Sequence, residues 1–381
     1  MNALRACHRA WIARAIETLT AEHRREHETP LILLDLPEFP GIDVVLKDES
    51  LHPTGSLKHR LARSLFLHAI CNGDVHEGTI VVEASSGSTA ISEAYFANLL
   101  GLAFIAVVPR GTAPRKLQAI ADAGAQIRLV DPGHNISDYA AQLACDLGGH
   151  FMNQFKFAER ATDWRGDNNI AQSLFAQISD AQLAMPRWIV IGAGTGGTSA
   201  TMGRYVRYRP DLASTRLCVV DPEGSAFFRY FSTGDRGNEG TCRGVVEGIG
   251  RPHVEPSFMR NVIDEMIQIA DEASVAGTLW LEKRTSRRFG PSTGANIVGA
   301  LTLASEMLAR GDHATIATFA CDSGDRYADT VYDPTWLESR GINIRSWQER
   351  FAALSTNARG FGSELQRAQA ARLSAVSRPA L

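Results

Sequence analysis

The chain has 381 residues, 44% of them hydrophobic, and a formal net charge of −3. That balance excludes a nucleic-acid or polyanion binder as the primary class, and no stretch approaches the roughly 20 apolar residues of a membrane span. At about 100–200 residues per domain the length predicts two or three compact units around a large core. Cys7, Cys71, Cys145, Cys218, Cys242 and Cys321 are scattered, without CxxC pairs or His/Cys clusters at metal-ligand spacing. They read as reduced, mostly buried thiols, and no metal is expected. The N-terminus carries arginines and an amphipathic pattern around Trp11 to Leu19, but lacks the apolar core and cleavage site of a signal peptide. A cytoplasmic enzyme or binding protein is expected.

Val44 to Glu49 reads as a strand, followed by a Pro/Gly turn and an amphipathic helical pattern to about Asn72. From Ile80 onward short β-branched runs alternate with helical patterns. Thr79 to Glu83 precedes a helix to Leu100, Ala103 to Pro109 a helix to Ala123, and Gln126 to Asp131 a helix to Leu147. That alternation is the mark of βαβ units on a parallel sheet. It resumes at Trp188 to Gly192, with a helix to Tyr208, then Arg216 to Asp221, and finally the helix Gly294 to Ala309 and the strand Ala314 to Cys321. Between them Pro222 to Pro256 is rich in Gly, Arg and aromatics and shows no clear period, which predicts a functional loop. The expected fold is α/β: two doubly wound three-layer α/β/α domains with mainly parallel sheets and a ligand cleft near the strand C-termini. The expected division is a smaller domain at 48–152, a larger one from 1–47 with 153–337, and a helical tail at 338–381.

Lys58 stands in His52-Pro53-Thr54-Gly55-Ser56-Leu57-Lys58-His59-Arg60, near the start of a helix. Unpaired N–H groups and positive dipole character there disfavour an ammonium and tolerate a neutral amine. A neutral lysine amine forms a Schiff base with a carbonyl, although the same position also suits a solvated helix-start lysine. In Glu83-Ala84-Ser85-Ser86-Gly87-Ser88-Thr89-Ala90, hydroxyls surround a glycine at a helix start. One residue would suffice as an N-cap; the surplus hydroxyls point to an anion site sized for a carboxylate. Gly192-Ala193-Gly194-Thr195-Gly196-Gly197-Thr198 follows a strand and opens a helix, the setting of a phosphate loop. It also matches G-x-G-x-x-G, with Asp221 placed as a ribose-binding acid, so a nicotinamide-dependent oxidoreductase competes on this segment. Thr195 and Thr198 favour a phosphate monoester, whose extra oxygens accept from hydroxyls. Gly290-Pro291-Ser292-Thr293-Gly294 opens a further helix and on its own reads equally as a cap.

In order and spacing these four segments resemble the pyridoxal-phosphate enzymes of the cysteine synthase family, fold type II, over about Thr29 to Asp333. The resemblance implies pyridoxal 5'-phosphate in the cleft between the domains, with Lys58 as the Schiff-base lysine. It implies Ser85, Ser86, Gly87 and Thr89 as the loop holding the substrate carboxylate, with Gln154 as a further partner. It implies Gly194, Thr195, Gly196, Gly197 and Thr198 at the phosphate, Ser88 beside the ring, and Ser292 at the pyridine nitrogen. The family's S-G-E-R-Y segment appears as Ser323-Gly324-Asp325-Arg326-Tyr327. A dinucleotide fingerprint would require neither Lys58 nor the Ser85–Thr89 loop, and the nicotinamide reading recedes. A homodimer acting on a small amino acid, with no nucleic-acid or membrane partner, is also implied.

The chain departs from the family pattern in particular places. Ser88 stands where most synthases carry an asparagine, His59 replaces an aspartate, Ala90 replaces a glycine, and Glu247-Gly248-Ile249-Gly250 leads into Arg251-Pro252-His253-Val254-Glu255-Pro256. The shorter Ser88 leaves room for water or a shifted substrate. Together these departures resemble the L-cysteine desulfhydrase branch, which eliminates sulfide from L-cysteine to leave pyruvate and ammonia. A cysteine synthase, joining sulfide to an activated serine, is the alternative. A serine or threonine dehydratase is disfavoured because hydroxide leaves poorly and no added acid is evident, and a non-catalytic scaffold is disfavoured because Lys58 and the phosphate loop are intact. Arg251 and His253 read either as site residues or as surface residues of a mobile loop.

Overall fold

Parallel strands covered on both faces by helices become continuous apolar runs rather than alternating ones. Val81–Ala84 and Phe104–Val108 are such runs, buried at every position. In the computed structural model, which describes residues 2–166, 169–237, 239–241, 244–363 and 365, they form the centre of one of two sheets. The elements run α1 (Asn2–Arg25), β1 (Leu31–Leu34), β2 (Ile42–Asp48), α2 (Lys58–Asn72), β3 (Val81–Ala84), α3 (Ser88–Leu99), β4 (Phe104–Pro109) and α4 (Pro114–Asp122). Next come β5 (Gln126–Val130), α5 (Ile136–Asp146), β6 (His150–Phe151), α6 (Gln154–Ala161), α7 (Ile170–Asp180), β7 (Pro186–Gly192), α8 (Gly197–Tyr208) and β8 (Arg216–Pro222). The last are α9 (Ala226–Thr233), β9 (Glu265–Ile269), α10 (Asp271–Thr285), α11 (Pro291–Arg310), β10 (Ala314–Ala320), α12 (Pro334–Ser339), α13 (Arg345–Ala352) and α14 (Leu354–Asn357).

The chain divides into two compact units, Met1–Glu28 with Leu51–Asp163 and Thr29–Ser50 with Trp164–Leu381. In the first unit the sheet order is β5-β4-β3-β6, all parallel. Val81, Phe104, Ala106 and Val108 on one face pack with Trp11, Leu19, Phe66, Ile70 and Phe96 from α1, α2 and α3. Val82, Ile105 and Val107 on the other pack with Ala140 and Ala144 of α5. In the second unit the order is β1-β2-β10-β7-β8-β9, parallel except where β1 runs against β2. Val44, Leu46, Val190, Val220, Ile267 and Ile316 pack with Leu281, Ile297, Leu301 and Phe351. The intervening Ile189, Ile191 and Val219 are buried as well.

The observed boundaries differ from the expected ones at four places, the smallest being residues 48–50, which stay with β2 in the second unit. Residues 1–28 belong with the first unit, because α1 lays Trp11, Ala15 and Leu19 against α2 and α3. Residues 153–163 join it too, since α6 returns to α2, where Phe157 meets the ring of His68 at 5.6 Å. The tail is not separate through its first part: Trp347, Phe351, Leu354, Ala358 and Phe361 sit in the core of the second unit, Phe351 stacked on Trp280 at 5.1 Å. Residues 364 and 366–381 lie outside the described residues. The segment expected to be a loop contains α9, which Ser225 caps at its N-terminus and Gly234, at φ 79°, at its C-terminus. Phe227 stacks on Phe258 there at 4.2 Å. Cys218 and Cys321 are buried, but Cys71 and Cys145 are exposed; Cys242 and the side chain of Cys7 lie outside the described residues. Among the described residues no helix is long and apolar enough to cross a membrane.

His59 accounts for part of the N-terminal docking. It is fully buried, its Nε2 lies 2.9 Å from Glu22 Oε1 and 3.8 Å from Glu26 Oε1, and its ring stacks on His52. His52 Nδ1 pairs with Glu26 Oε1, and Arg63 lies 4.0 Å from Glu26 Oε2. Glu26, His52 and His59 thus bring three ligand-type atoms within 4.8 Å of one another, a cluster that linear spacing does not reveal. The adjacent Arg63 guanidinium adds a cation to the cluster, which joins α1 to α2 as an ion-pair network. Burial raises the Glu26 carboxyl, but hydrogen bonds from His23 and His52 and the charges of His52 and His59 outweigh it and hold the carboxyl well below the usual range. A depressed carboxyl stabilises the fold above its unfolded pKa and the gain is lost as pH falls through the folded value. Glu26→Gln is therefore expected to cost about 3 kcal/mol at neutral pH, the scale for breaking a buried pair. Urea titrations should show this deficit persisting to about pH 4 and shrinking below it; equal stability at pH 7 would contradict the assignment.

Candidate active site

The residues singled out in the sequence fall at four helix starts, two in each unit. In the first unit the turn before α2 is made by Gly55 at φ 70°, whose N–H donates to His52 O at 2.7 Å. Thr54 Oγ1 lies 2.8 Å from Ser92 Oγ, tying the turn to α3, and the Lys58 N–H donates to Ser56 Oγ at 3.3 Å. Lys58 is the first residue of α2 and is half-buried. Ser85, Ser86 and Gly87 connect β3 to α3, and all three, with Ser88, are half-buried. Thr89 is buried and donates from Oγ1 to Gln154 Oε1 at 2.7 Å. That bond fixes the amide of Gln154, also buried, so that its NH₂ end points away from Thr89. The bond thus ties Gln154, at the start of α6, to Thr89 beside the serine loop.

In the second unit β7 runs into Ala193–Gly196 and α8. Gly196 takes φ 88°, and a Cβ there would lie 2.6 Å from Phe258 Cα. A Cβ on Gly194 would lie 2.1 Å from Gly248 O, and one on Gly192 would lie 2.5 Å from Ile249 Cγ2. Gly192 and Gly194 are thus required by the Gly248–Gly250 segment folded over the loop, where Gly250 N–H donates to Ala193 O at 2.8 Å, and Gly196 by Phe258. Thr195 Oγ1 accepts from Gly197 N–H at 3.1 Å, which leaves its O–H as a donor. Ser292 is buried in the first turn of α11. One turn further, Asn296 Oδ1 accepts from Gly192 N–H at 2.8 Å and Asn296 Nδ2 donates to Phe319 O at 2.9 Å, pinning α11 to the ends of β7 and β10. Asn296 was not anticipated; no spacing marks it, because its two partners come from strands remote in the chain.

The remaining candidates have structural roles. Asp221 is fully buried and its Oδ2 accepts from Phe228 N–H at 3.0 Å, so it secures α9 instead of reaching a ribose. Burial pushes its carboxyl up to about 7. Arg251 pairs with Glu255 at 2.7 Å, while His253 is 62% exposed and belongs to the surface. In the Ser323–Tyr327 segment, Ser323 caps a short turn and buried Tyr327 donates to Asp322 Oδ2 at 2.7 Å.

The donor set fits two anions and an aldehyde. The helices α2, α3, α8 and α11 begin without a side-chain cap. So do α4, α10, α13 and α14, whereas Asn135, Asn153, Asn169, Ser225 and Asp333 cap α5, α6, α7, α9 and α12. Uncapped first-turn N–H groups next to serine and threonine hydroxyls are what a phosphate or carboxylate requires. An α/β protein whose strands run into such loops, with a lysine opening one of the helices, has the donor types of a cofactor-dependent enzyme.

Residues 24–322 match the family described as pyridoxal-phosphate dependent enzyme. The L-cysteine desulfhydrase Cds1 of Mycobacterium tuberculosis is 49% identical over 345 residues, covering 90% of this chain and 93% of that protein. The O-acetylserine dependent cystathionine beta-synthase from Helicobacter pylori superposes with a TM-score of 0.69 at 26% identity, over 80% of this chain and 95% of that one. The hydrogen sulfide-producing enzyme of Fusobacterium nucleatum shares the fold, with a TM-score of 0.72 at 23% identity, over 83% of this chain and 92% of that one. The chain belongs to the pyridoxal-phosphate dependent enzymes, fold type II, of the cysteine synthase family.

Proposed function

We propose that this enzyme is an L-cysteine desulfhydrase, releasing sulfide, pyruvate and ammonia from L-cysteine. The observation that carries the reading is the 49% identity to an L-cysteine desulfhydrase across nearly the full length of both chains. The departures at Ser88 and His59 accord with it. Pyridoxal phosphate, when bound, supplies an electron sink for the pair left behind when a Cα–H bond breaks. Lys58 would hold it through the ε-amine, Gly194 to Thr198 would take its phosphate, Ser88 would lie beside the ring, and the Ser292 hydroxyl would meet the pyridine nitrogen. A neutral hydroxyl there does not enforce a protonated ring, which suits elimination over transamination.

The chain's own groups account for the remaining steps. Ser85, Ser86, the Gly87 backbone, Thr89 and the Gln154 NH₂ group would grip the substrate carboxylate, fixing which Cα bond faces Lys58. The Lys58 amine, released when substrate takes its place, would remove the Cα proton. Departure of the β-thiol as sulfide follows, since sulfide leaves far more readily than hydroxide, and water hydrolyses the released three-carbon enamine to pyruvate and ammonia. The family resemblance also supports a homodimer, which light scattering of the purified protein tests.

The synthase reading is separated by assay. Purified enzyme given L-cysteine alone is expected to release sulfide and pyruvate in equal amounts. Abundant cysteine from O-acetylserine plus sulfide, with no pyruvate from cysteine, would overturn the desulfhydrase assignment.

A further inference from the structure

Behind the Ser85–Thr89 loop stand two fully buried glutamates, Glu83 on β3 and Glu93 on α3. Glu83 Oε1 accepts from Ala84 N–H at 2.7 Å, at the entrance to the loop. Its Oε2 accepts from Gln154 N–H at 2.9 Å. Gln154 in turn receives the Thr89 hydroxyl, so one carboxylate touches both the entrance of the Ser85–Thr89 loop and the residue that holds Thr89. Glu93 lies one turn beyond Thr89 and faces Glu83; neither of its oxygens meets an N–H or O–H donor.

Two carboxylates facing each other out of water cannot both be charged. Burial raises Glu83 to about 7, and raises Glu93 further, with the charge of Glu83 adding to the effect. The Ala84 and Gln154 amides act in the opposite sense on Glu83 alone. The surroundings therefore favour the proton on Glu93, where it is placed to be shared with Glu83. The unpartnered Glu93 oxygens are explained, because a protonated carboxyl gains the donor that the pair otherwise lacks.

We propose that Glu83 and Glu93 are a proton-sharing positioning pair that sets the substrate-carboxylate grip, through Ala84 at the loop entrance and through Gln154. The proposal rests on reading Ser85–Thr89 and Gln154 as that grip. Glu83 touches no substrate. Its effect is on affinity and alignment, through the N–H groups it orients.

The test compares Glu83→Gln, Glu93→Gln and Glu93→Leu holoenzymes with the wild type. L-Alanine, which has the carboxylate and no β-leaving group, is titrated by the change in the holoenzyme spectrum, beside KM and kcat for L-cysteine. In Glu83→Gln one acceptor becomes an N–H aimed at another N–H, and leaving a buried group unsatisfied raises Kd and KM about tenfold or more, with a smaller change in kcat. Glu93→Gln still donates to Glu83 and holds Kd within about threefold, whereas Glu93→Leu removes the donor and raises Kd about tenfold. In the infrared difference between wild type and Glu93→Gln near neutral pH, the C=O stretch of one protonated carboxyl is expected, because other raised carboxyls such as Asp221 contribute equally to both proteins and cancel. Alanine affinity unchanged in a folded Glu83→Gln, or no such stretch, overturns the pair. If Glu83→Gln does not fold, the Glu93→Gln and Glu93→Leu comparison decides: equal affinities overturn the proposal. Thr89→Ala and Gln154→Ala separate the two levels. Unchanged affinity in both refutes the grip itself, and raised affinity constants there with none in Glu83→Gln refute the pair alone.

Discussion

Lys58→Ala is expected to abolish sulfide release and, with it, the near-visible absorbance of the purified holoenzyme. Loss of a group that transfers the Cα proton costs ~10²–10⁴-fold by itself, and loss of the covalent hold on the cofactor adds to this. The fold should survive. Lys58 opens α2, whose attachment to the first unit is made by Ala62, Leu65, Phe66, Ala69 and Ile70 further along, and alanine is the best helix former. A melting temperature close to the wild type's with an absent absorbance band is thus the expected pairing. A band that persists in the variant would refute Lys58 as the covalent lysine, whatever the activity.

The second large effect is expected at Gly194. A methyl group there would lie 2.1 Å from the carbonyl oxygen of Gly248, a backbone atom that cannot rotate aside. Gly194→Ala must push the Gly248–Gly250 segment off the loop, breaking the bond from Gly250 N–H to Ala193 O. Overpacking of this kind costs about 1–3 kcal/mol. Because the same loop begins α8, the proposed phosphate site is displaced with it. Dialysis followed by absorbance should show cofactor lost from the variant and retained by the wild type. Thr198→Ala is the control, removing a hydroxyl with no added atom; it should weaken cofactor retention about tenfold without lowering the stability of the cofactor-free protein. Full cofactor retention in Gly194→Ala would show that the loop tolerates the shift and that its glycines serve packing alone.

The elements that position the site were legible because they carry local signals. Val81–Ala84 and Trp188–Gly192 announce themselves as apolar β-branched runs, and the Gly and Ser residues that follow announce the turns. Lys58, Thr89 and Ser292 each stand at or beside a helix start that the turn residues mark. What stayed hidden depends on partners distant in the chain. His59 was notable only as a departure from the family pattern; its bond to Glu22 appears when α1 docks. Glu83 and Glu93 look in sequence like a strand residue and a helix residue. Their shared proton exists only because the first unit's layers bring them face to face and exclude water. Asp221 shows the converse, since its spacing suggested a ribose contact, while its burial and its bond from Phe228 N–H assign it to α9.

By itself the sequence determined the α/β class, the order of the four helix-start segments and the chemistry they suit, because periodicity, turn residues and donor types are properties of short windows. Only the tertiary structure decided that α1 belongs with the first unit, that Gly194 and Gly196 are demanded by Gly248 and Phe258, and that Glu83 accepts from both Ala84 N–H and Gln154 N–H. Those facts are set by close approach and desolvation between segments far apart in the chain, and neither quantity is written in local composition.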